Sequence, residues 1–175
     1  MNQIVYRLNK GDGLKKKRID VFLQKSRKIP FIRWFTNKIY RNRMNIPDDC
    51  YIGLDFNITS ISPSFLSIGK NVSLNDTFIV AWAPVIIGNN VAFSFKNTII
   101  TSTHDLNDFN RVIGKPIVIG SNVWVTSNVT ILPGVTIGDN TVIGAGSVVT
   151  QDIPSGVLAA GNPCRVIKKI NFQIK

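Results

Sequence analysis

The sequence predicts an all-β chain: a parallel solenoid of triangular coils, with a basic, partly helical N-terminal extension and a loop pushed out of the coil. Three observations predict it. From Ile119 onward an aliphatic residue returns every six positions, at Val125, Ile131, Ile137, Ile143 and Val149. The position four residues after each opening aliphatic is small or β-branched (Val123, Val129, Val135, Thr141, Ser147), and Gly, Asn, Asp or Pro fill most of the corners. Upstream of Ile119 the phase of the repeat breaks over residues 101–116. A period of six fits neither a lone helix nor an ordinary strand. It fits short strands that each send residues inward and then turn, with three rows closing one coil.

The elements follow in chain order. Residues 1–45 read as a separate basic extension. They hold 13 of the 21 Lys+Arg but only Asp12 and Asp20, a surplus of 11 that equals the whole net charge of +11. The run Lys15-Lys16-Lys17-Arg18 and the later Arg27, Lys28, Arg33, Lys38, Arg41 and Arg43 supply most of it. Ile29, Phe31, Ile32, Trp34, Phe35, Ile39 and Tyr40 are interleaved with those bases. Two readings stand: a helix capping the open end of the solenoid, or an amphipathic helix touching an anionic membrane surface. No recognised nucleic-acid motif accompanies the charge, so no nucleic-acid partner is expected.

Residues 46–165 read as the solenoid and 166–175 as a C-terminal tail. The early rows are less regular. Ile46, Ile52 and Ile58 are one set; Ile68, Leu74, Val80 and Ile86 are a second; after a one-residue slip, Ile87, Phe93 and Ile99 continue. Opening aliphatic side chains stack coil on coil into a narrow core, and Gly or Asn at corners supplies the positive φ of tight turns. The loop 101–116 carries His104, the single histidine. Loops of that length in compact domains are often functional.

Cys50 and Cys164 lie far apart and form no zinc or CxxC spacing. One histidine and scattered aspartates make no metal-ligand cluster, so no metal is expected. With no secretory signal at Met1 and no run of 18 apolar residues, the expected location is cytoplasmic, or peripheral at the inner face of the membrane.

The stretch from Gly114 to Ile170, with its Asn-Val-Trp at 122–124, Leu-Pro-Gly-Val-Thr-Ile-Gly at 132–138, Ile-Gly-Ala-Gly-Ser-Val-Val at 143–149 and Gly-Asn-Pro-Cys-Arg-Val-Ile-Lys at 161–168, together with Thr-His-Asp at 103–105, resembles the hexapeptide-repeat acyltransferases. The resemblance is to the branch of maltose, galactoside, nodulation and colanic-acid-type sugar O-acetyltransferases, and it is strong over about residues 87–170. It implies a left-handed parallel β-helix, a departure from the usual right-handed crossover. It also implies a homotrimer with active sites in the grooves between subunits and acetyl-CoA as donor.

The resemblance also implies site residues. His104 falls at the family's catalytic histidine, sixteen residues after Gly88. Removing a hydroxyl proton as the oxygen attacks a thioester is work an imidazole does at neutral pH. Asp105 is expected to orient that imidazole. Asn75 stands near the acceptor-binding asparagine. Ser127 matches a backbone N–H that faces the thioester oxygen. Trp124 matches the tryptophan lining the pantetheine arm, Ala145 and Thr150 the places where arm and phosphates follow the coil edge. Arg165 and Lys168 match basic positions near the 3′-phosphoadenosine. The acceptor side departs from the pattern. Trp82 stands where galactoside-type enzymes have an acid, and is expected to stack on a sugar or pack on a neighbouring subunit. Val112 stands where maltose-type enzymes have a Glu. Three functions follow: an acetyl-CoA-dependent O-acetyltransferase on a sugar or polysaccharide precursor; an N-acetyltransferase on an amino sugar or nucleotide sugar, or a xenobiotic (antibiotic) acetyltransferase; and a solenoid that only scaffolds. His104 in a phase-breaking loop argues against the third, and the first is the reading taken.

Overall fold

The computed structural model describes residues 3–8, 18–60 and 62–174. Lys15, Lys16 and Lys17 and the side chain of Arg18 lie outside the described residues. The chain winds into a parallel β-helix of three flat faces. The first face stacks Leu66–Ile68, Val85–Ile87, Ile117–Ile119 and Thr136–Ile137. The second stacks Val72–Ser73, Val91–Phe93, Val123–Val125, Val142–Ile143 and Val157–Ala160, closed by Arg165–Lys169 running antiparallel. The third stacks Asn57–Ser60, Phe78–Ala81, Thr98–Ile100, Thr130–Ile131 and Val148–Val149. Arg165–Lys169 is one strand across position 166, so the expected tail begins inside the solenoid's last strand.

The core is built of columns, one per face. Ile58, Ile79, Ile99, Ile131 and Val149 align in register and are buried. Phe93, Val125, Ile143 and Ala159 form another column, and Ile87, Ile119, Ile137 and Ile153 a third. From Ile87 to Val149 these are the residues that the period of six picks out, and Ile153 and Ala159 continue the columns outside that count. Before Ile87, the reading differs: Val80 and Ile86 are only half-buried, and Ile79, Val85 and Ile87 point inward instead. The reason is local. The turn at Asn75, which has a φ of 42°, is one residue shorter than the repeat. The corner Ala81–Pro84 is longer than the repeat, and the inward series re-emerges at Ile87 with a net slip of one residue. A one-residue shift moves every side chain of a strand to its other side.

Corners hold the coils together. Where the first face turns into the second, Asn71, Asn90, Asn122 and Asn140 each have a φ of 55°. Their side chains form a ladder: Asn71 Nδ2 donates to Asn90 Oδ1 at 3.0 Å, Asn90 Nδ2 to Asn122 Oδ1 at 3.2 Å, and Asn122 Nδ2 to Asn140 Oδ1 at 3.1 Å. At the same corner the backbone of Gly88 passes so near Gly120 that a Cβ on Gly88 would stand 2.7 Å from the Gly120 oxygen. Asn122→Ala removes two ladder bonds and puts a Cβ residue without a local hydrogen bond in the left-handed region. The expected cost is about 2 kcal/mol, and about half that for Asn122→Gly, which keeps the backbone freedom. Urea midpoints of the two variants check the order.

The N-terminal extension forms α1 (Arg18–Ser26), α2 (Pro30–Met44) and a strand, Ile4–Arg7. Pro30 opens α2, and Asn45, with a φ of 55°, ends it. Thr36, Tyr40 and Met44, four residues apart, are the buried stripe of α2. Arg27 ties the helices to the first coil. Its guanidinium is buried, donates to Asn37 Oδ1 and to the Gly53 carbonyl (each 2.8 Å), and lies 4.9 Å from the centre of the Tyr40 ring. Burial lowers the Arg27 pKa and pushes the Tyr40 phenol up to about 12. Among the described residues no helix is long and apolar enough to cross a membrane.

Candidate active site

Residues 101–116 leave the solenoid at the corner between the third and first faces. They form a hairpin arm, Ser102–His104 against Arg111–Gly114. The strand Ile4–Arg7 adds itself to the arm's other edge, so three antiparallel strands stand where the sequence reads as a loop. The β-branched and aromatic run Ile4-Val5-Tyr6 was the available signal for that strand. Tyr6 lies opposite Val112, and Val112 opposite His104, which puts the three side chains on one side of the arm. Tyr6 also grips the arm's root. Its hydroxyl donates to the Trp82 carbonyl at 2.9 Å, and its ring meets the Trp82 indole edge-on at 5.4 Å. The Thr101 hydroxyl accepts from the Trp82 and Ala83 N–H groups at 2.8 and 2.9 Å.

His104 is half-buried and held on two sides. Its ring stacks on Phe109, with centroids 4.0 Å apart and planes 5° from parallel. Its Nδ1 lies 2.7 Å from the Phe109 carbonyl oxygen. A carbonyl only accepts, so Nδ1 carries the hydrogen and the neutral ring presents a lone pair at Nε2. This corrects the role expected of Asp105. That carboxylate turns the other way, accepting from the Asn107 N–H at 2.9 Å and pairing with Arg111 at 3.3 Å. It braces the hairpin turn, while the Phe109 carbonyl orients the imidazole. Nothing in residue spacing points to a backbone carbonyl, because every residue has one.

A second group gathers on the second face and the corner beyond it. Trp124 and Lys168 fall in one row across that face, separated by Val142 and Leu158. Trp124 is exposed; its Nε1 donates to Ser94 Oγ at 3.1 Å, and its ring stacks loosely with Phe172 at 6.4 Å. Ser94 and Phe172 were not expected from the sequence. Arg165 lies opposite Ala160 at the end of the same face, exposed. Ser127 occupies the corner. Its Oγ accepts from the Phe95 N–H at 3.4 Å and its carbonyl from the Gly146 N–H at 3.0 Å, which sets Ala145 one coil beyond it. Its own N–H donates to nothing among the described residues. Asn75 sits on the same corner in an earlier coil, its amide bonded to the Phe93 carbonyl.

The two groups do not meet within one chain. His104 and Trp82 lie at the corner from the third face to the first, and Thr150, just past Val148–Val149, falls at that corner in a later coil. Trp124, Ser127, Ala145, Arg165 and Asn75 lie across the second face and its corner with the third. The width of the third face separates them. Both thiols, Cys50 and Cys164, are buried and burial raises their pKa, which makes poor nucleophiles of them.

A coil of stacked hexapeptide rows in three parallel faces, with an arm bearing a half-buried histidine, defines a parallel β-helix. Residues 116–151 match the family described as bacterial transferase hexapeptide (six repeats). The galactoside O-acetyltransferase of Escherichia coli (strain K12) is 47% identical over 124 residues, which is 65% of this chain and 61% of that relative's length. A solved galactoside acetyltransferase in complex with coenzyme A superposes with a TM-score of 0.77 at 31% identity, covering 98% of this chain and 94% of that one. A maltose O-acetyltransferase from Clostridium difficile 630 gives 0.70 at 34% identity, over 87% of this chain and 83% of that one. The chain belongs to the hexapeptide-repeat acyltransferase family.

Proposed function

We propose that this chain is an acetyl-CoA-dependent O-acetyltransferase that acts in the cytoplasm on a hydroxyl of a sugar or polysaccharide precursor. The observation that carries the chemistry is the His104 ring, fixed by the Phe109 carbonyl and by stacking, with Nε2 as its free base. Nε2 takes the acceptor hydroxyl's proton as the oxygen attacks the thioester carbonyl carbon. The C–O bond forms, the C–S bond breaks, and the proton passes from the imidazolium to the departing thiolate. The unpartnered Ser127 N–H faces the oxyanion. Trp124 flanks the pantetheine arm, Ala145 and Thr150 border its path, and Arg165 and Lys168 meet the phosphates. Asn75 and Trp82 face the acceptor. The buried thiols favour direct transfer over an acyl-cysteine route, so both substrates bind before product leaves.

The separation of the two residue groups supports a homotrimer in which His104 of one copy serves the donor groove of the next. Complementation tests this. His104→Ala and Trp124→Ala proteins, each impaired alone, are unfolded together and refolded as a mixture. Mixed assemblies contain grooves that join an intact His104 to an intact Trp124, so activity returns to about a third of wild type per mixed trimer. Activity no higher than that of the two separate variants overturns the shared site. For the reaction itself, the assay is thiol release from acetyl-CoA against sugars, amino sugars and antibiotics. Hydroxyl acceptors giving turnover support the reading. Turnover with amines alone assigns N-acetylation instead, and release with neither class refutes transfer.

A further inference from the structure

Helix α2 carries two apolar stripes, and only one is spent on the core. Thr36, Tyr40 and Met44 face the solenoid. Phe31, Trp34, Phe35 and Lys38, spaced i, i+3, i+4 and i+7, lie on the opposite side at 100° per residue. The outward rings are open: Phe31 is 100% exposed, Trp34 76% and Phe35 60%. Every residue from Lys28 to Phe35 is exposed, Ile29 and Ile32 among them, so the tip of the α1–α2 pair presents an open apolar patch while Lys28 ties it to the first coil through Asp55. Ordinary surfaces scatter apolar residues singly; a clustered aromatic patch marks an interaction site.

The charge around the stripe selects the occupant. No acid occurs in the sequence between Asp20 and Asp48, while Lys25, Arg27, Lys28, Arg33, Lys38, Arg41 and Arg43 fall in that interval. Arg27 is buried, Arg41 donates to the Pro47 and Cys50 carbonyls, Lys28 is paired with Asp55 and Arg43 with Asp20, which leaves Lys25, Arg33 and Lys38 as the exposed charges of the helix pair among the described residues. Lys38 Nζ stands 5.8 Å from the centre of the Trp34 ring, with its charge outward beside the stripe. Aromatic rings with aliphatic neighbours, fringed by lysine and arginine, match the boundary between anionic headgroups and acyl chains. A base-stacking surface would have no use for Ile29 and Ile32. A second copy of this chain offers no matching negative patch, since residues 46–175 balance eight acids with eight bases.

We propose that the α1–α2 tip docks on an anionic lipid bilayer, seating Phe31, Trp34 and Phe35 at the headgroup level while the solenoid stays in solution. The inference goes beyond acetyl transfer and does not depend on it. The test uses the full chain and sedimentation with vesicles of phosphatidylcholine containing about one third phosphatidylglycerol. The protein is expected to sediment with them at low ionic strength and to partition about ten-fold less onto pure phosphatidylcholine. The double variant F31S/W34S is expected to lose about ten-fold in partitioning, with unchanged elution volume and unchanged turnover on a soluble acceptor. Bromine-labelled lipid should quench the tryptophan emission of the wild type more than that of W34F, which keeps the apolar stripe. Absence of sedimentation at low salt, wild-type partitioning by F31S/W34S, or equal quenching of both proteins overturns the proposal. A smaller assembly in F31S/W34S also overturns it, assigning the stripe to a contact between copies.

Discussion

His104→Ala is expected to lower kcat by about 10²- to 10⁴-fold and to leave the donor KM within about a factor of three. The split follows from the geometry. Apart from Thr150, the residues proposed to hold the donor lie on another face of the coil, so removing the imidazole leaves Trp124, its Ser94 bond and the Ser127 N–H in place. What is lost is the proposed base, and water is left to take the proton. The arm itself survives, because its hairpin is tied by Asp105 to Arg111 and by the strand Ile4–Arg7 along its edge. The loss is therefore chemical, and unchanged thermal unfolding of the variant checks that. Phe109→Ala separates orientation from chemistry. It removes the stacked ring but keeps the carbonyl that receives the Nδ1 hydrogen, so kcat should fall by only about ten-fold. Near-normal turnover in His104→Ala removes His104 from the mechanism.

The difference between what the sequence showed and what it hid has a physical basis. From Ile87 to Val149 nearly every coil has the same length, so the period alone locates the inward residues. Between Ile58 and Ile87 the corners differ in length, and a single-residue change at the Asn75 turn inverts which of Ile79 and Val80 is buried. Periodicity cannot place a shift that two unequal corners share. The candidate base was visible through the resemblance, which sets a histidine sixteen residues after Gly88, here inside the phase break. Its partner was not, since the Nδ1 hydrogen goes to the carbonyl of Phe109, a group that sequence does not distinguish. The adjacent Asp105 drew the expectation because a carboxylate beside a histidine is a familiar orienting group. In the folded arm the hairpin turn claims it. The strand Ile4–Arg7 was hidden for a further reason: it pairs with residues over a hundred positions away, and only the arm's open edge gives it a reason to form.

Phe93→Ala is expected to cost about 3–5 kcal/mol, toward the upper end of the range for a buried aromatic. A coil of this width sends one residue per column into the core at each level. Phe93 fills its level at 1% exposure, in register with Val125 below it. The neighbours are short β-branched or aliphatic side chains locked in their own columns, so none can swing across to fill the space, and the cavity persists. Domains of this kind are stable by about 5–15 kcal/mol, so the loss is a large share of the total. Phe95→Ala, two residues along and exposed, is the control and should stay within about 0.5 kcal/mol. The measurement is the urea midpoint at equal chain concentration, since association adds to apparent stability. The consequence reaches the proposed site. The Phe93 carbonyl holds the Asn75 amide, and the next residue, Ser94, holds the Trp124 indole. A strand that sags into the cavity moves both anchors, so the donor KM should rise in Phe93→Ala while Phe95→Ala leaves stability intact. A Phe93→Ala protein within about 1 kcal/mol of wild type would mean that the coil collapses onto the gap, and that its columns are not independently packed.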